Sequence, residues 1–433
     1  MFFGIRTMPV IDNINKAYLI NNIMNSFIKK LPGGILRLIR KKRSVIFFRH
    51  SYYHFYYLAQ ALRKRGWNAI LVNLEDPEGP NANYFHGEDI NLFSHDHVQF
   101  RKNIEDFFIK AKKEFELFHF AGDGYLCFFP EYTQHNEPPD IVEWKKLNKM
   151  VAYTVSGCNS GISQTSLSRW SALDNGKSVC NTCIWQSDSK VCSDQKNLDW
   201  GKKVEKYCDL ICAEVLPAID YMDLPNKIIR EPLSMCLDPT FWHPDLKIPT
   251  KYYVKRQPGE LLVYHAMGNY DSRNKNGRNI KGTSAVIAAI EQLKLEGMPI
   301  KLIFLTNIKN TEIRFMQAQA DVIVDQLNFG RYGATAREGM MLGKPVICYI
   351  DQKEIDPKNE LSCLKEVPLV SATEETVYEV LKDLLLNRNK RERIGKLARE
   401  YALKWHSADR CAERYEVVYD ALMAGLPFNN FNS

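Results

Sequence analysis

Residues 325–351 read DQLNFGRYGATAREGMMLGKPVICYID, and this stretch decides the fold. A short apolar strand, DVIV, runs into its glycine-punctuated loop, and a helix is predicted to begin near Ala334. The break Gly343-Lys344-Pro345 leads into a second apolar strand, VICYI. Such a unit directs the free N–H groups of a helix N-terminus toward the crevice at the strand ends, which suits a phosphate. Glu338 lies one turn inside the helix, where a carboxylate can reach a ribose hydroxyl, so the stretch predicts a nucleotide site.

The composition favours a two-domain globular protein. The chain has 433 residues, more than a single hydrophobic core usually holds, and 45% of them are hydrophobic. No apolar run reaches about 18 residues, so no transmembrane helix is expected. The start, MFFGIRTMPVIDNINK, carries an Asp and a Lys inside its apolar part, so we expect no secretory signal and a cytoplasmic location. The eleven cysteines are then mostly reduced thiols or metal ligands.

Basic residues are concentrated in residues 29–43, where they alternate with Ile and Leu. One interpretation is a solvated helix that leads into the first strand. The other is peripheral contact with the anionic inner face of the cell membrane, where each basic residue adds roughly 1 kcal/mol.

Short apolar strands alternate with helices along most of the chain, which favours parallel sheets with helical crossovers. Strands are predicted at residues 44–48, 67–74, 117–120, 150–155, 210–213, 261–265, 300–305, 321–324 and 346–350. Helices are predicted at residues 56–65, 100–113, 142–147, 204–207, 282–295, 313–318, 334–342, 374–386, 390–404 and 408–422. The economical architecture is α/β, with two Rossmann-like doubly wound domains facing a cleft.

The predicted boundaries follow changes in composition. They are a basic N-terminal segment (residues 1–43), an N-terminal Rossmann-like domain (44–216) with a Cys-rich insertion (157–203), a proline-rich connector (217–258), a C-terminal Rossmann-like domain (259–407) and a C-terminal segment (408–433).

A second positively charged element precedes the stretch described first. Arg278 and Lys281 stand three positions apart in GRNIKG, just ahead of a predicted helix. A guanidinium and an ammonium so placed can hold two phosphates and stabilise a departing nucleoside diphosphate. Alone, the motif is weak and more typical of a surface loop; its position about 50 residues before the nucleotide unit favours the binding role.

The order of these motifs resembles retaining GT-B glycosyltransferases of the kind gathered in glycosyltransferase family 4. The matching stretches are YHAMGNYDSRNKNGRNIKG, DVIVDQLNFGRYGATAREGMMLGKPVI and YALKWHSADRCAERYEVVYDAL. The resemblance is specific over roughly residues 260–425 and only architectural before them. It implies that Arg278 and Lys281 hold the donor diphosphate, that Glu338 binds the donor ribose, and that the last predicted helix packs back on the first domain. The implied donor-binding set is His265, Gly330, Arg331, Tyr332, Gly333, Ala334 and Thr335.

Two positions depart from the family pattern. Gly330 stands where the family commonly has a glutamate, eight positions before Glu338, so the sugar contact of that glutamate is missing or supplied otherwise. Ser156 stands where a first-domain histidine near the donor sugar is common. His119, at the end of the predicted strand at residues 117–120, is a candidate catalytic substitute, and a buried structural histidine is the alternative.

The loop after the first strand is predicted to face the acceptor. His50, Tyr52 and Tyr53 lie on it, and Ser156 is expected on the same side. The alternative for the tyrosines is an aromatic helix start packed on the sheet.

A CxxC pair flanked by two further cysteines is typical of a structural zinc site, and this chain has such a set in Cys158, Cys180, Cys183 and Cys192. The surrounding sequence is polar, so a metal would replace a missing core. Ordinary buried thiols and a redox CxxC are the alternatives.

These observations predict a glycosyltransferase, of hexosyltransferase type, that moves a sugar from a UDP- or GDP-sugar to a saccharide or lipid-linked acceptor. Retention of configuration, and a setting in bacterial surface polysaccharide synthesis, rest on the resemblance. No catalytic divalent metal and no nucleic-acid partner are expected. Alternatives are a sugar-nucleotide epimerase on the same fold, a catalytically silent scaffold, and a zinc-containing nucleic-acid-binding protein.

Overall fold

The computed structural model describes residues 42–49, 52–79, 81–122, 125–155, 161–170, 178–213, 220, 227–229, 236–268, 270–274, 279, 281–351 and 362–426. The chain divides into two compact units, Met1–Lys42 and Arg43–Ser433. All elements named below belong to the second unit. Four of the predicted site residues, His50, Ser156, Cys158 and Arg278, lie outside the described residues, as does most of the basic segment.

The N-terminal half contains a parallel sheet, in the order β3-β2-β1-β4-β5-β6-β7 over the described residues. Its strands are β1 (Ser44–Phe48), β2 (Asn68–Asn73), β3 (Ile90–Asn91), β4 (Leu117–Ala121), β5 (Met150–Thr154), β6 (Leu210–Cys212) and β7 (Ile228–Ile229). The central strands β1, β4 and β5 are buried along their whole length. Helices cover both faces of such a sheet, which explains why these strands are almost continuously apolar.

A second parallel sheet follows, in the order β11-β10-β8-β9. Its strands are β8 (Leu261–Ala266), β9 (Ile300–Leu305), β10 (Val322–Val324) and β11 (Val346–Ile347). β8 pairs with β9 over its full length, from Leu261 opposite Ile300 to Ala266 opposite Leu305.

Helices connect the strands of both sheets. The α-helices are α1 (His54–Lys64), α2 (His97–Glu114), α3 (Pro139–Lys146), α4 (Gln164–Trp170), α5 (Val179–Thr182), α6 (Asp194–Tyr207), α7 (Tyr270–Arg273), α8 (Thr283–Leu295), α9 (Asn310–Gln317), α10 (Ala334–Met341), α11 (Val377–Leu386), α12 (Arg388–Trp405) and α13 (Ala408–Met423). Short 3₁₀ turns occur at Ala82–Tyr84, Pro130–Tyr132, Thr250–Tyr252 and Ser362–Glu366. None of the helices in the described part of the chain is long and apolar enough to cross a membrane.

The nine predicted strands are confirmed within one to three residues at their ends. The two-residue strands β3 and β7 were not predicted, because two residues carry no readable period. β7 lies inside the predicted connector, yet it pairs with β6. The predicted Cys-rich insertion also differs from expectation: its Leu167, Val179 and Cys180 are buried in the N-terminal core, so this segment does not lack core residues. The predicted domain boundaries stay predictions.

The last helix, α13, packs on α1. Tyr415 of α13 lies beside His54 of α1, with 3.2 Å between the hydroxyl and Nε2. On the surface, Glu416 forms salt bridges of 2.7 Å with Arg43 and 2.5 Å with Arg65. Arg43, the last residue of the predicted basic segment, is therefore already paired within the protein.

Each sheet has one point where the strand order reverses. In the N-terminal sheet it falls between β1 and β4, and in the C-terminal sheet between β8 and β10. In open α/β sheets, ligands bind outside the carboxyl ends of the strands at such points. His265 lies in β8 and residues 330–333 in the loop after β10, while Tyr52 and Tyr53 lie in the loop after β1.

Candidate functional site

The N-terminus of α10 lies in the loop that follows β10. Gly333 is its N-cap residue, and its N–H donates to Oδ2 of Asp325 at 2.9 Å. Among the described residues, no side chain accepts a hydrogen bond from the N–H groups of Ala334 or Thr335. Both residues are partly exposed. This eight-residue helix therefore offers free N–H groups and the positive end of its dipole to an anion.

Lys281 lies next to that helix start but is already paired. Its Nζ is 3.0 Å from Oδ1 of Asp325, and its side chain is 14% exposed while that of Asp325 is fully buried. Asp325 therefore contacts both Lys281 and the Gly333 N–H. Because the Lys281–Asp325 pair is neutral as a whole, a diphosphate here would rely on the helix N-terminus as much as on the lysine.

Local backbone geometry fixes the loop that carries Lys281. Gly282 adopts a left-handed conformation with φ of 78°, and a Cβ there would lie 2.8 Å from Cβ of Leu327. The Leu327 N–H in turn donates to the Lys281 carbonyl at 3.0 Å. Glycine is therefore the residue that fits here, because it adopts the left-handed conformation without strain and has no Cβ to collide with Leu327.

His265, at the end of β8, is buried and forms hydrogen bonds with both β10 and α8. Its Nδ1–H donates to the Val324 carbonyl of β10, and its Nε2 is 2.9 Å from the Thr283 hydroxyl of α8. Burial lowers the pKa of His265 to about 4, with Lys281 adding to the shift and the Val324 hydrogen bond opposing it. A neutral ring with both nitrogens bonded orients the strand ends; a direct contact with the donor stays a prediction.

Glu338 is a fully buried carboxylate held by three donors. Its Oε1 accepts from the Tyr53 hydroxyl at 2.9 Å and from the Asn310 amide at 3.3 Å, and its Oε2 accepts from Gln317 at 2.7 Å. Burial raises the pKa of Glu338, while these three hydrogen bonds and the charge of Lys281 oppose the rise. The ribose-binding carboxylate implied by the resemblance is thus engaged, in this conformation, by a tyrosine of the N-terminal half.

A chain of hydrogen bonds extends from Glu338 to the N-terminal half. The Asn310 amide donates to Glu338, so its Oδ1 accepts from Nε2 of His86 at 2.5 Å. Nδ1 of His86 then accepts from the Tyr57 hydroxyl at 2.8 Å. Tyr53 and Tyr57 both lie on or beside α1, so two routes from one helix converge on one carboxylate.

Gly330 explains the missing glutamate of the family pattern. Its φ is 78°, and a Cβ would lie 3.1 Å from Cβ of Asp351. Its carbonyl accepts the Asp351 N–H at 2.8 Å. A glutamate in this left-handed position would be strained and crowded, so this loop is shaped differently from one that presents a carboxylate to the donor sugar.

The side chains of Arg331 and Tyr332 face the interior. Arg331 is 1% exposed. The Tyr332 hydroxyl lies 2.9 Å from that of Tyr401 and 3.1 Å from Nε2 of His406. Only the backbone of these two residues is therefore placed to meet a donor.

His119 is a core histidine. Its Nδ1 contacts the Tyr419 hydroxyl of α13 and its Nε2 contacts the Thr154 hydroxyl of β5 at 2.8 Å. Burial holds the pKa of His119 well below its usual value. This arrangement matches the alternative of a buried structural histidine. The geometry does not support a catalytic role, because hydroxyl groups of the protein contact both ring nitrogens.

Tyr52, one of the predicted acceptor residues, lies in the loop after β1 and is partly exposed. It has a left-handed φ of 52°, is 47% exposed, and its ring meets that of Tyr84 edge-on at 5.8 Å. Desolvation of its hydroxyl raises the pKa of Tyr52; Arg273 opposes the rise, and Glu338 and Asp325 add to it.

The predicted zinc site is not supported. Within the described residues, no three His, Cys, Asp or Glu side chains come together as metal ligands. Cys180 and Cys192 lie on either side of Gln164, which accepts from one thiol at 3.9 Å and donates to the other sulfur at 3.2 Å. Burial raises the pKa of Cys180, as expected of an ordinary buried thiol. Cys183 is nearby, and the fourth proposed ligand lies outside the described residues.

Several central residues were missed from the sequence. Asp325 has a signal that could have found it, an acidic residue directly after a buried strand. Asn310 and Gln317 are polar residues seven apart on one helix, hence on one face. His86 carries no such signal, because it belongs to a loop and only the tertiary contact makes it part of the network.

Three solved structures share this architecture. Sucrose-phosphate synthase from Thermosynechococcus elongatus matches with a TM-score of 0.56 and 14% identity, over 89% of this chain and 100% of that one. A glycosyltransferase from Rickettsia africae matches with a TM-score of 0.50 and 14% identity, over 89% and 99%. HepE from Anabaena, solved in complex with UDP, matches with a TM-score of 0.50 and 10% identity, over 88% and 100%.

The chain has the GT-B fold. Identities of 10–14% show this fold and no more. No protein-family model matches the sequence, and no curated protein matches it. The expected fold class is therefore confirmed, while the site must be argued from its own residues.

Proposed function

We propose that this protein transfers a hexosyl group, with retention, from a UDP- or GDP-sugar to a saccharide or lipid-linked acceptor. The observation that carries the proposal is the open N-terminus of α10, beside Lys281, at the β8–β10 reversal of the C-terminal sheet. It is supported by the fold shared with UDP-bound HepE. In such a reaction the bond from the sugar to the diphosphate breaks, so negative charge grows on the diphosphate. Backbone N–H groups and a lysine aimed at that charge stabilise it without a protein nucleophile.

Calorimetric titration with UDP and GDP tests donor binding directly. The wild-type protein is expected to bind one of them. Lys281→Met is expected to weaken binding about tenfold, the loss of one charge-assisted contact. Lys294→Met is the matched control, because Lys294 is an exposed lysine of α8 paired with Glu291. If neither nucleotide binds, the proposal fails.

The ribose role of Glu338 needs a separate comparison, because Tyr53 now donates to it. A ribose hydroxyl would replace or join the Tyr53 hydroxyl at Oε1. Wild-type protein should then prefer the ribonucleotide over its 2′- and 3′-deoxy forms, and Glu338→Gln should abolish that preference. Equal affinity of wild-type protein for all three forms would show that Glu338 is structural.

One rival is favoured by a specific observation, a catalytically silent GT-B protein. Gly330 replaces the expected glutamate, and Glu338 is fully hydrogen-bonded within the protein. Incubation with a panel of sugar nucleotides, followed by chromatography, distinguishes the two: slow donor hydrolysis supports the transferase, and nucleotide binding with no turnover supports the silent scaffold.

Two finer expectations stay proposals with their own tests. Structural zinc predicts about one metal equivalent per purified chain, and less than about half an equivalent would count against it. Peripheral membrane contact through residues 29–43 predicts flotation with vesicles containing anionic lipid and none with neutral vesicles. A setting in surface polysaccharide synthesis rests on the resemblance alone.

A further inference from the structure

Arg49 occupies the strand-order reversal of the N-terminal sheet. It directly follows β1, and its N–H donates to the Val72 carbonyl of β2 at 2.9 Å. Its φ of 63° is left-handed, a conformation that non-glycine residues rarely adopt and that persists where surroundings enforce it. Its guanidinium lies over the ring of Tyr125, which follows β4, at 3.5 Å from the ring centroid. The two loops of the reversal point are thus joined by one stacked contact.

Arg49 has no acidic partner among the described residues. Its Nε is buried and makes no hydrogen bond there, although the residue as a whole is partly exposed. The nearby arginines behave differently, since Arg43, Arg63 and Arg65 all form salt bridges. A partly buried guanidinium without an acceptor is costly unless a ligand supplies one.

Lys203 of α6 adds a second cation at the same place. The Thr133 hydroxyl lies 3.6 Å from Sγ of Cys127, two residues after Tyr125. The Lys203 Nζ reaches only a neutral acceptor among the described residues, the Thr133 carbonyl at 3.3 Å. It also lies 5.0 Å from the ring of Trp200. Two cations and two aromatic rings therefore meet near the carboxyl ends of β1 and β4.

The location relates these groups to the candidate donor site. Tyr53 lies four residues after Arg49, and its hydroxyl donates to Oε1 of Glu338 in the C-terminal half at 2.9 Å. A molecule held by Arg49 would therefore approach the residues around Glu338 from the N-terminal half. That is where an acceptor belongs if the proposed transfer is correct.

We propose that Arg49, assisted by Lys203, binds an anionic group of the acceptor, so that the acceptor is an acidic saccharide or a sugar phosphate. A guanidinium forms paired hydrogen bonds with carboxylates and phosphates alike. The flanking rings of Tyr125 and Trp200 offer apolar faces to the sugar. This inference rests on the proposed transferase function and specifies its acceptor class.

Calorimetry of the full chain with glucose 6-phosphate, glucuronate and glucose, at constant ionic strength, tests the inference. The two anionic sugars are expected to bind and glucose is not; the stronger of the two identifies phosphate or carboxylate as the preferred group. Arg49→Gln should weaken anion binding about tenfold or more, and Lys203→Gln should weaken it less. Arg101→Gln, an exposed arginine paired with Glu105, is the charge-matched control.

The outcomes separate this inference from the donor proposal. The affinity for UDP should be unchanged in Arg49→Gln, and this result would also show that the variant is folded. If Arg49→Gln does not fold, Lys203→Gln is the variant to test, because the Lys203 side chain lies on a helix surface. Binding of glucose as tight as that of the anionic sugars, no binding of any of the three, or anion binding unaffected by both substitutions would overturn the inference. Failure of UDP to bind wild-type protein would instead refute the donor proposal.

Discussion

Removing one hydroxyl at Tyr53 isolates the contact that joins the two halves at Glu338. In Tyr53→Phe, Oε1 of Glu338 keeps only the Asn310 donor at 3.3 Å. A hydrogen bond to a charged group contributes about 1.5–3 kcal/mol, and this one is buried, so we expect the free energy of unfolding to fall by about 2 kcal/mol. The pKa of Glu338 should rise further, because the Tyr53 hydrogen bond now opposes its increase.

Urea denaturation followed by far-UV circular dichroism and tryptophan fluorescence measures this loss, with coincident transitions as the test of two-state behaviour. Tyr253→Phe is the matched control: it removes the same atom from a tyrosine that is 63% exposed. Its effect should stay within about 0.5 kcal/mol. Equal midpoints for Tyr53→Phe and Tyr253→Phe would refute the buried hydrogen bond and, with it, the coupling of α1 to Glu338.

Three further substitutions test the site's charges and backbone. Because the pKa of Glu338 is raised, this group contributes stability that is present below about pH 4.5 and lost as the pH rises through its folded pKa. The free energy of unfolding of wild type minus that of Glu338→Gln should therefore decrease with rising pH, by at most about 1.4 kcal/mol per pH unit. A difference that is constant above pH 4.5 would contradict the buried carboxylate. In urea denaturation, Gly282→Ala should lower the free energy of unfolding by at least about 1 kcal/mol more than Gly259→Ala. Both glycines are left-handed, but of the two only Gly282 has atoms within 4 Å of an added Cβ. Equal losses of stability would show that the loop can shift. Lys281→Met should destabilise the protein by about 3 kcal/mol, because it leaves the buried charge of Asp325 unpaired. Adding Asp325→Asn should recover at least half of that loss. If the two substitutions changed the free energy of unfolding strictly additively, the ion pair would be ruled out.

Much of the fold was determined by the sequence itself. The runs SVIFF, LFHFA and MVAYT are apolar enough to be buried on both faces, and the helices between them have a readable period, so a parallel α/β fold follows from local pattern. The nucleotide unit around Glu338 could be placed for the same reason, because a strand, a glycine loop and a helix start are adjacent in the chain. That residues 281 and 338 belong to one donor site stays a prediction.

Only the tertiary structure decided what each charged group contacts. Tyr53 and Glu338 are 285 positions apart, and Arg49 meets Tyr125 across two loops. Lys281 was expected to face a phosphate but is paired with Asp325. The physical reason is that hydrophobic periodicity reports which face of an element is buried, whereas the partner of a polar group depends on how distant elements pack. Sequence therefore predicted which residues form a donor site, and packing determined which charged groups are already engaged and which, like Arg49, lack an acceptor among the described residues.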